Sequence, residues 1–447
     1  MLEQIAPQEQ VRRAEDLIRA DFRAGFDELL RERGSPKPRS EDDQAIFGLA
    51  DAAVRRYHAA TARDRSLPRL SKVQYWEVRQ RLYVMHGALG PLGDLLAIEG
   101  VEDIHINGTR GGYLVFSDHR EDLPERFTSE EELTDLVRHY AEQAGKRFDL
   151  ASPIVTLTLR DGSRLNAVLP PVSKPLVITI RKQQLKRFLG LADLVGEGTI
   201  PASAVPLLEA AVLARLNVLI SGGTGAGKTT LARILGLLIP DGERTCVLET
   251  ETELWLHELR DRDCFSFEER DANIEGAGRI SLRDLFRLGA LRQRPDRIIV
   301  GEVRGEEALD MIHAMNSGHD GNLTTIHASG ARASLNRLEA LVAMADARLS
   351  SRVVRQMVGS GVDLIVHLAS YKRPGGRVRR LSSMAFVDEN PEDPEWMPVA
   401  QEFCRYRVLE DTWEWDENPV AYAPRKVVNK FVMAGLDPSR LNSPAIS

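Results

Sequence analysis

At 447 residues the chain is too long for one ordinary domain, and the length prior suggests about three. Its 59 basic against 66 acidic side chains leave a formal net charge of −7, which argues against strong general nucleic-acid binding while leaving room for a local basic groove. Cys246, Cys264 and Cys404 lie far apart with no C-x-x-C pair, so neither a disulfide framework nor a tetracysteine zinc site is expected and a reducing compartment is the natural home. The first residues lack the apolar core of a secretory signal, and no run approaches the roughly 18 to 20 apolar residues of a membrane helix. Any work at a membrane is therefore expected to pass through a docked partner.

Residues 1–70 read as a charged, helical N-terminal extension. Val11, Leu17, Ile18, Phe22, Phe26, Leu29 and Leu30 recur near helical spacing, and the run Arg33 to Pro36 breaks the helix. Residues 71–185 read as a smaller α+β domain. Val101 to Gly108 alternates apolar and polar residues before an Asn-Gly turn, and Tyr113 to Phe116 continues as its hairpin partner. Glu130 to Ala144 is a helix; Ile154 to Leu159 and Arg164 to Val168 flank an Asp161-Gly162 turn; Leu176 to Ile180 ends at Arg181. Arginines 160, 164 and 181 thus stand at strand ends. Residues 186–204, polar and glycine-containing up to Pro201, read as a linker.

From 205 to 375 short β-rich runs alternate with helical patterns: Arg244 to Leu248, Arg297 to Val300, Leu323 to His327 and Asp363 to Leu368. That alternation predicts a mostly parallel sheet with helices on both faces and ligands at the carboxyl ends of its strands. Residues 376–447, after Pro374-Gly375-Gly376, read as a C-terminal subdomain. Trp396, Trp413 and Trp415 all fall there, so part of it is expected to pack.

The most specific stretch is Asn217 to Leu231, NVLISGGTGAGKTTL, an apolar strand followed by a glycine-rich turn that opens a helix. This is a P-loop in strand-to-helix context, with Gly222, Gly223, Thr224, Gly225, Ala226, Gly227, Lys228, Thr229 and Thr230 as the nucleotide-binding residues. Glycines let several backbone N–H groups converge on phosphate oxygens, and the following helix adds its positive end. Lys228 is placed to reach the outer phosphates, and the Thr229 hydroxyl to ligate Mg²⁺.

Hydrolysis also needs a group that positions water. Arg297 to Glu302, RIIVGE, delivers a carboxylate from a strand end, making Glu302 the candidate. The run LETETE places Glu249 and Glu253 where they could hold Mg²⁺ through water. In GHDGNLTTIH, Thr324, His319 and His327 surround another strand, and the two histidines are expected to meet the γ-phosphate or sense its loss. No H-x-x-x-H or nearby Cys supports zinc.

Taken together, GPLGDLL, VEDIHING, DGSRLNAVLPP with TIRK, the P-loop, LETETEL, LRQRPDRIIVGEVRGEEALDM and GHDGNLTTIHA resemble the secretion ATPases of type II, type IV and type IV pilus systems. The resemblance is strongest to the tight-adherence pilus-assembly ATPases, CpaF-like, and runs from about Gly90 to Leu368, weakly to Lys430 and Gly435. It implies an α/β fold: a RecA-like P-loop NTPase motor domain with the smaller α+β domain before it. It further implies a cytoplasmic homohexamer docked on an inner-membrane platform protein, with ATP and Mg²⁺ bound and hydrolysis driving pilus assembly or protein secretion. Lys228, Thr229, Glu249, Glu253, Glu302, His319 and His327 match family positions, and Arg164 and Arg181 match basic residues that reach the phosphates. Three positions depart from the pattern: Thr250 replaces an Asp, Ala226 a Ser, and Thr158 an Arg. A type IV motor for protein or DNA and a catalytically weak nucleotide-binding assembly regulator are the alternatives.

Overall fold

The computed structural model describes residues 7–34, 42–64, 66–86, 91–116, 119–124, 127, 129–183, 190–260, 263–270, 272, 277–373, 376–390, 395, 397–416 and 418–438. Ser35, Pro36, Gly90, residues 184–189, Pro374, Gly375, residues 391–394 and Trp396, which figure in the sequence reading, lie outside the described residues. The chain divides into two compact units, Met1–Lys186 and Arg187–Ser447.

The first unit contains helices α1 (Pro7–Arg33), α2 (Asp43–Arg63), α3 (Lys72–His86), α4 (Pro91–Ala97) and α5 (Glu130–Gln143). Its strands are β1 (Asp103–Asn107), β2 (Gly112–Val115), β3 (Arg120–Leu123), β4 (Ile154–Thr158), β5 (Arg164–Val168) and β6 (Val177–Arg181), an antiparallel sheet in the order β3-β2-β1-β6-β5-β4. Strands β1, β4 and β5 bury every second residue, as a sheet does when one face covers a core. Helix α1 turns Ala14, Ile18, Phe22 and Phe26 inward at four-residue spacing, into the same core as Tyr83, Leu92 and Ile104. The expected boundary at residue 70 therefore disappears, because the N-terminal helices share the apolar core of the α+β part instead of standing apart from it.

The second unit contains α6 (Leu191–Gly196), α7 (Val205–Leu213), α8 (Lys228–Leu237), α9 (Leu256–Leu259), α10 (Leu282–Asp284), α11 (Glu307–Asn316), α12 (Ala331–Ala345), α13 (Ser351–Gly361) and α14 (Arg425–Met433). Its strands are β7 (Val218–Gly222), β8 (Thr245–Glu249), β9 (Cys264–Glu268), β10 (Arg297–Val300), β11 (Leu323–His327), β12 (Leu364–Arg373), β13 (Gly376–Asp388), β14 (Val399–Arg407) and β15 (Thr412–Trp415). They form one nine-stranded sheet in the order β15-β14-β13-β12-β7-β11-β10-β8-β9. The stretch from β12 to β9 is parallel and β13 to β15 are antiparallel.

Strands β7, β8 and β10 are buried at every residue, the signature of a parallel sheet covered on both faces. Val218 and Ile220 pack into a core with Leu208 and Leu231, whereas Leu219 between them joins Met311 and Leu338 on the other face. Two predicted boundaries need correction here. Leu191, Leu194 and Ile200 of the expected linker are buried in the first of these cores. The expected subdomain from 376 onward is an extension of the motor sheet: β13 pairs with β12 from Gly376 to Phe386, and Phe403 and Phe431 share the core of Val218. Trp413 and Trp415 do pack, Trp413 Nε1 donating to Leu381 O at 2.7 Å and Trp415 meeting Phe403 edge-on. Among the described residues no helix is long and apolar enough to cross a membrane.

Candidate nucleotide site

The parallel register brings the carboxyl ends of β7, β8, β10 and β11 to one edge. At that edge the P-loop leaves β7 and enters α8. Gly222, Gly225 and Gly227 have φ of +155°, +71° and +99°, and Gly222 also lies so close to β12 that a Cβ would stand 2.3 Å from Leu368 O. Side chains at these positions would be strained or would clash. The flanks of the turn are buried while Gly223, Thr224 and Gly225 are exposed. Ala226 is buried beside Gly222, a packing role that a Ser is not needed to fill.

Lys228, the first residue of α8, is buried and donates to Gly222 O at 3.1 Å and Gly223 O at 3.0 Å. Its third contact is His327 Nε2, 3.3 Å away. The same Nε2 lies 3.5 Å from Glu302 Oε1, and Glu302 Oε2 accepts from Arg304 Nη2 at 2.6 Å. Lys228, His327 and Glu302, separated by up to 99 positions in sequence, thus converge on one spot. Burial lowers the Lys228 pKa against the pull of Glu302. Burial and the neighbouring ammonium of Lys228 together lower that of His327. Nε2 thus stands between the Lys228 ammonium and the Glu302 carboxylate, and the lowered pKa favours the neutral imidazole.

The acidic stretch after β8 closes the other side. Glu249 is buried; its Oε1 accepts the backbone N–H groups of Glu253 and Leu254, each at 3.0 Å, and burial pushes its pKa up to about 7. Arg233, buried on α8, donates to the carbonyls of Leu254 at 3.1 Å and Glu253 at 2.8 Å. The loop so stapled presents Glu253, whose Oε2 accepts from Thr229 Oγ1 at 3.2 Å. The carboxylate beside the Thr229 hydroxyl is therefore Glu253, and Glu249, the expected water-mediated Mg²⁺ ligand, shapes the loop with one oxygen. Its other oxygen, Oε2, is buried with no hydrogen-bond partner among the described residues. Hard oxygen donors from Thr229 and Glu253, with that unsatisfied carboxylate oxygen close by in sequence, fit a hydrated Mg²⁺.

His319 needs a larger correction. It precedes β11, whereas His327 ends it, and a five-residue strand spans about 16 Å. The strand pairs His327 with Gly222 of the P-loop and Leu323 with Val218 at the far end of β7, so His319 lies at the opposite edge of the sheet and its carbonyl accepts from Asn322. Thr324 is buried mid-strand and donates to Met311 Sδ. Neither belongs to the phosphate site.

In the first unit, Asp161 accepts from both the backbone N–H and the hydroxyl of Ser163, fixing the turn after which β5 begins with Arg164. Arg164 and Arg181 are directly opposed across β5 and β6, and Arg181 Nε meets Asp103 at 3.0 Å. Arg160 instead stacks on Phe47, its Cζ 5.8 Å from the ring centre. Sequence reasoning missed Arg233, Arg304 and His367, whose Nδ1 lies 2.9 Å from Ser221 Oγ inside the sheet. A lone Arg in the apolar run after the P-loop was a legible signal for the first; Arg304 and His367 had none of that strength.

A parallel sheet with a P-loop at its carboxyl edge, faced by a glutamate and a histidine from neighbouring strands, defines a RecA-like P-loop nucleotide motor domain. The chain belongs to the type II/IV secretion system protein family, whose model matches residues 90–409. It is 35% identical over 321 residues to a putative conjugal transfer protein of Mycobacterium tuberculosis, covering 70% of this chain and 88% of that one. It is 30% identical over 275 residues to the type IV secretion system protein VirB11 of Bartonella quintana, covering 53% and 75%. The solved Legionella pneumophila ATPase DotB aligns with a TM-score of 0.47 and 19% identity over 72% of this chain and 82% of that one.

Proposed function

We propose that this chain is a hexameric, tight-adherence (Tad, CpaF-like) motor that hydrolyses ATP in the cytoplasm and drives pilus assembly through an inner-membrane platform protein. The observation that carries the reading is the meeting of Lys228, His327 and Glu302 at the P-loop edge. ATP phosphates take the place of the Gly222 and Gly223 carbonyls as partners of Lys228, and the backbone N–H groups of the glycine turn hold the β-phosphate. Thr229 and Glu253 would hold Mg²⁺, which when bound would neutralise charge on the phosphates. Glu302, kept in place by Arg304, orients the attacking water. His327 loses its Lys228 contact when the lysine turns to phosphate, and its Nε2 is then available to report whether the γ-phosphate is present.

A second reading, export of protein or DNA by a type IV system, draws support from the 35% identical relative whose name is that of a conjugal transfer protein. Phosphate release by the purified chain tests the shared chemistry: Lys228→Ala is expected to abolish turnover while leaving a folded protein. Deleting the gene in its host separates the cargoes. Loss of surface pili supports the first reading; intact pili with lost export supports the second.

A further inference from the structure

Arg377 and Arg379 stand two residues apart on β13, and so on one face of that strand. That face borders the P-loop: Arg379 Nε donates to Gly225 O at 2.9 Å, and a Cβ added to Gly225 would stand 3.1 Å from Arg377 Nη1. Two other arginines of the β12–β13 hairpin go elsewhere, Arg373 and Arg380 meeting Asp411 at 2.6 and 3.3 Å. The exposed apex of the P-loop is thus flanked by two guanidinium groups, with the Lys228 ammonium and the positive end of α8 at its base. Cations gathered so closely repel one another, and an anion lying among them reverses the sign of that energy. The bond from Arg379 has a second effect. It fixes one peptide of the turn whose amides have to converge on phosphate oxygens, and a charged donor does this more strongly than a neutral one.

We propose that the β12–β13 hairpin is a working wall of the nucleotide site. Arg379 is a positioning residue that holds the apex of the P-loop, and Arg377 supplies a cation to the phosphates of the bound nucleotide. This deepens the proposed function, since it rests on the P-loop binding ATP or ADP.

The test uses the full chain with Arg377→Ala, Arg379→Ala and Arg379→Lys, and reads the affinity for Mg-ATP and for ADP at low and high salt, the KM and kcat of hydrolysis, and the Tm without nucleotide. Loss of a charged hydrogen bond is expected to weaken ATP and ADP binding about tenfold in Arg379→Ala, raising KM more than it lowers kcat. Arg379→Lys is expected to recover part of that loss. Arg377→Ala is expected to bind ATP about tenfold more weakly and with a shallower salt dependence, at an unchanged Tm, because Arg377 is exposed. Should Arg379→Ala fail to fold, Arg377→Ala decides. Wild-type affinity in the folded alanine variants, beside a wild type that binds, overturns the inference alone. A wild-type chain that binds neither nucleotide overturns the reading beneath it, and the inference falls with it.

Discussion

The two ends of the central strands carry polar clusters of opposite character. At the carboxyl end, an exposed glycine apex, a lysine bonded to its own loop and a histidine between lysine and glutamate form a set whose partners can be exchanged. At the amino end the polar groups tie separate elements of the sheet to one another. Asp363 Oδ2 accepts from Asn217 N at 2.8 Å and from Lys430 Nζ at 2.6 Å. Asn217 bridges to Gly361 O and Asn322 N, and Lys426 donates to the carbonyls of Gly359 and Val362. Both clusters hold charges at one sheet, but only the first borders an exposed glycine turn. Polarity alone does not mark a site; charged groups beside an open glycine turn at the carboxyl edge of a parallel sheet do.

Asp363→Ala removes a buried carboxylate that serves two half-buried lysines and the Asn217 N–H, and loss of its charged hydrogen bonds is expected to cost about 3 kcal/mol. Thermal unfolding should show a large fall in Tm, while turnover per folded molecule stays near wild type at low temperature. A comparable loss of turnover at unchanged Tm would erase the distinction between the two ends.

The next effect lies at the open end. The Glu249 pKa, about 7 against a usual 4.5, means that the folded chain holds a proton the unfolded chain has already released. Stability from this group is therefore lost as pH rises from about 4.5 to 7 and is flat above that, a difference of about 3 kcal/mol. Glu249→Gln keeps an acceptor for Glu253 N and Leu254 N without the charge. Its Tm should exceed that of the wild type by a margin that grows between pH 5 and 7 and then levels off. A margin independent of pH would contradict the cause given for the shift.

The smallest effect sharpens the contrast between two histidines. His327→Asn should slow hydrolysis about tenfold, a loss of about 1.4 kcal/mol in transition-state stabilisation. His319→Asn should change it less than twofold. Steady-state rates on both variants check this, and equal losses would place both rings at the phosphates.

Those histidines also show how far sequence reading reached. The P-loop, Glu302 and the alternation of strands and helices were legible because each is a contiguous pattern with its own spacing. Which end of β11 a residue occupies is not local information; it depends on the parallel pairing of His327 with Gly222. Glycine and proline near 375 read as a domain boundary, whereas the strands on either side, β12 and β13, pair within one sheet. Strand β9 escaped notice because its first four residues are half-buried at the sheet edge and its last is exposed, leaving no apolar run. Arg377 and Arg379, 152 and 154 positions beyond Gly225, could be brought to the P-loop only by the fold.

The proposed motor depends on Glu302 acting on water at a nucleotide held by the P-loop. Phosphate release and ATP affinity measured together on Glu302→Gln test it most directly. The predicted result is turnover reduced by about 10³ or more with ATP still bound about as tightly as in the wild type. Undiminished turnover in that variant would contradict it.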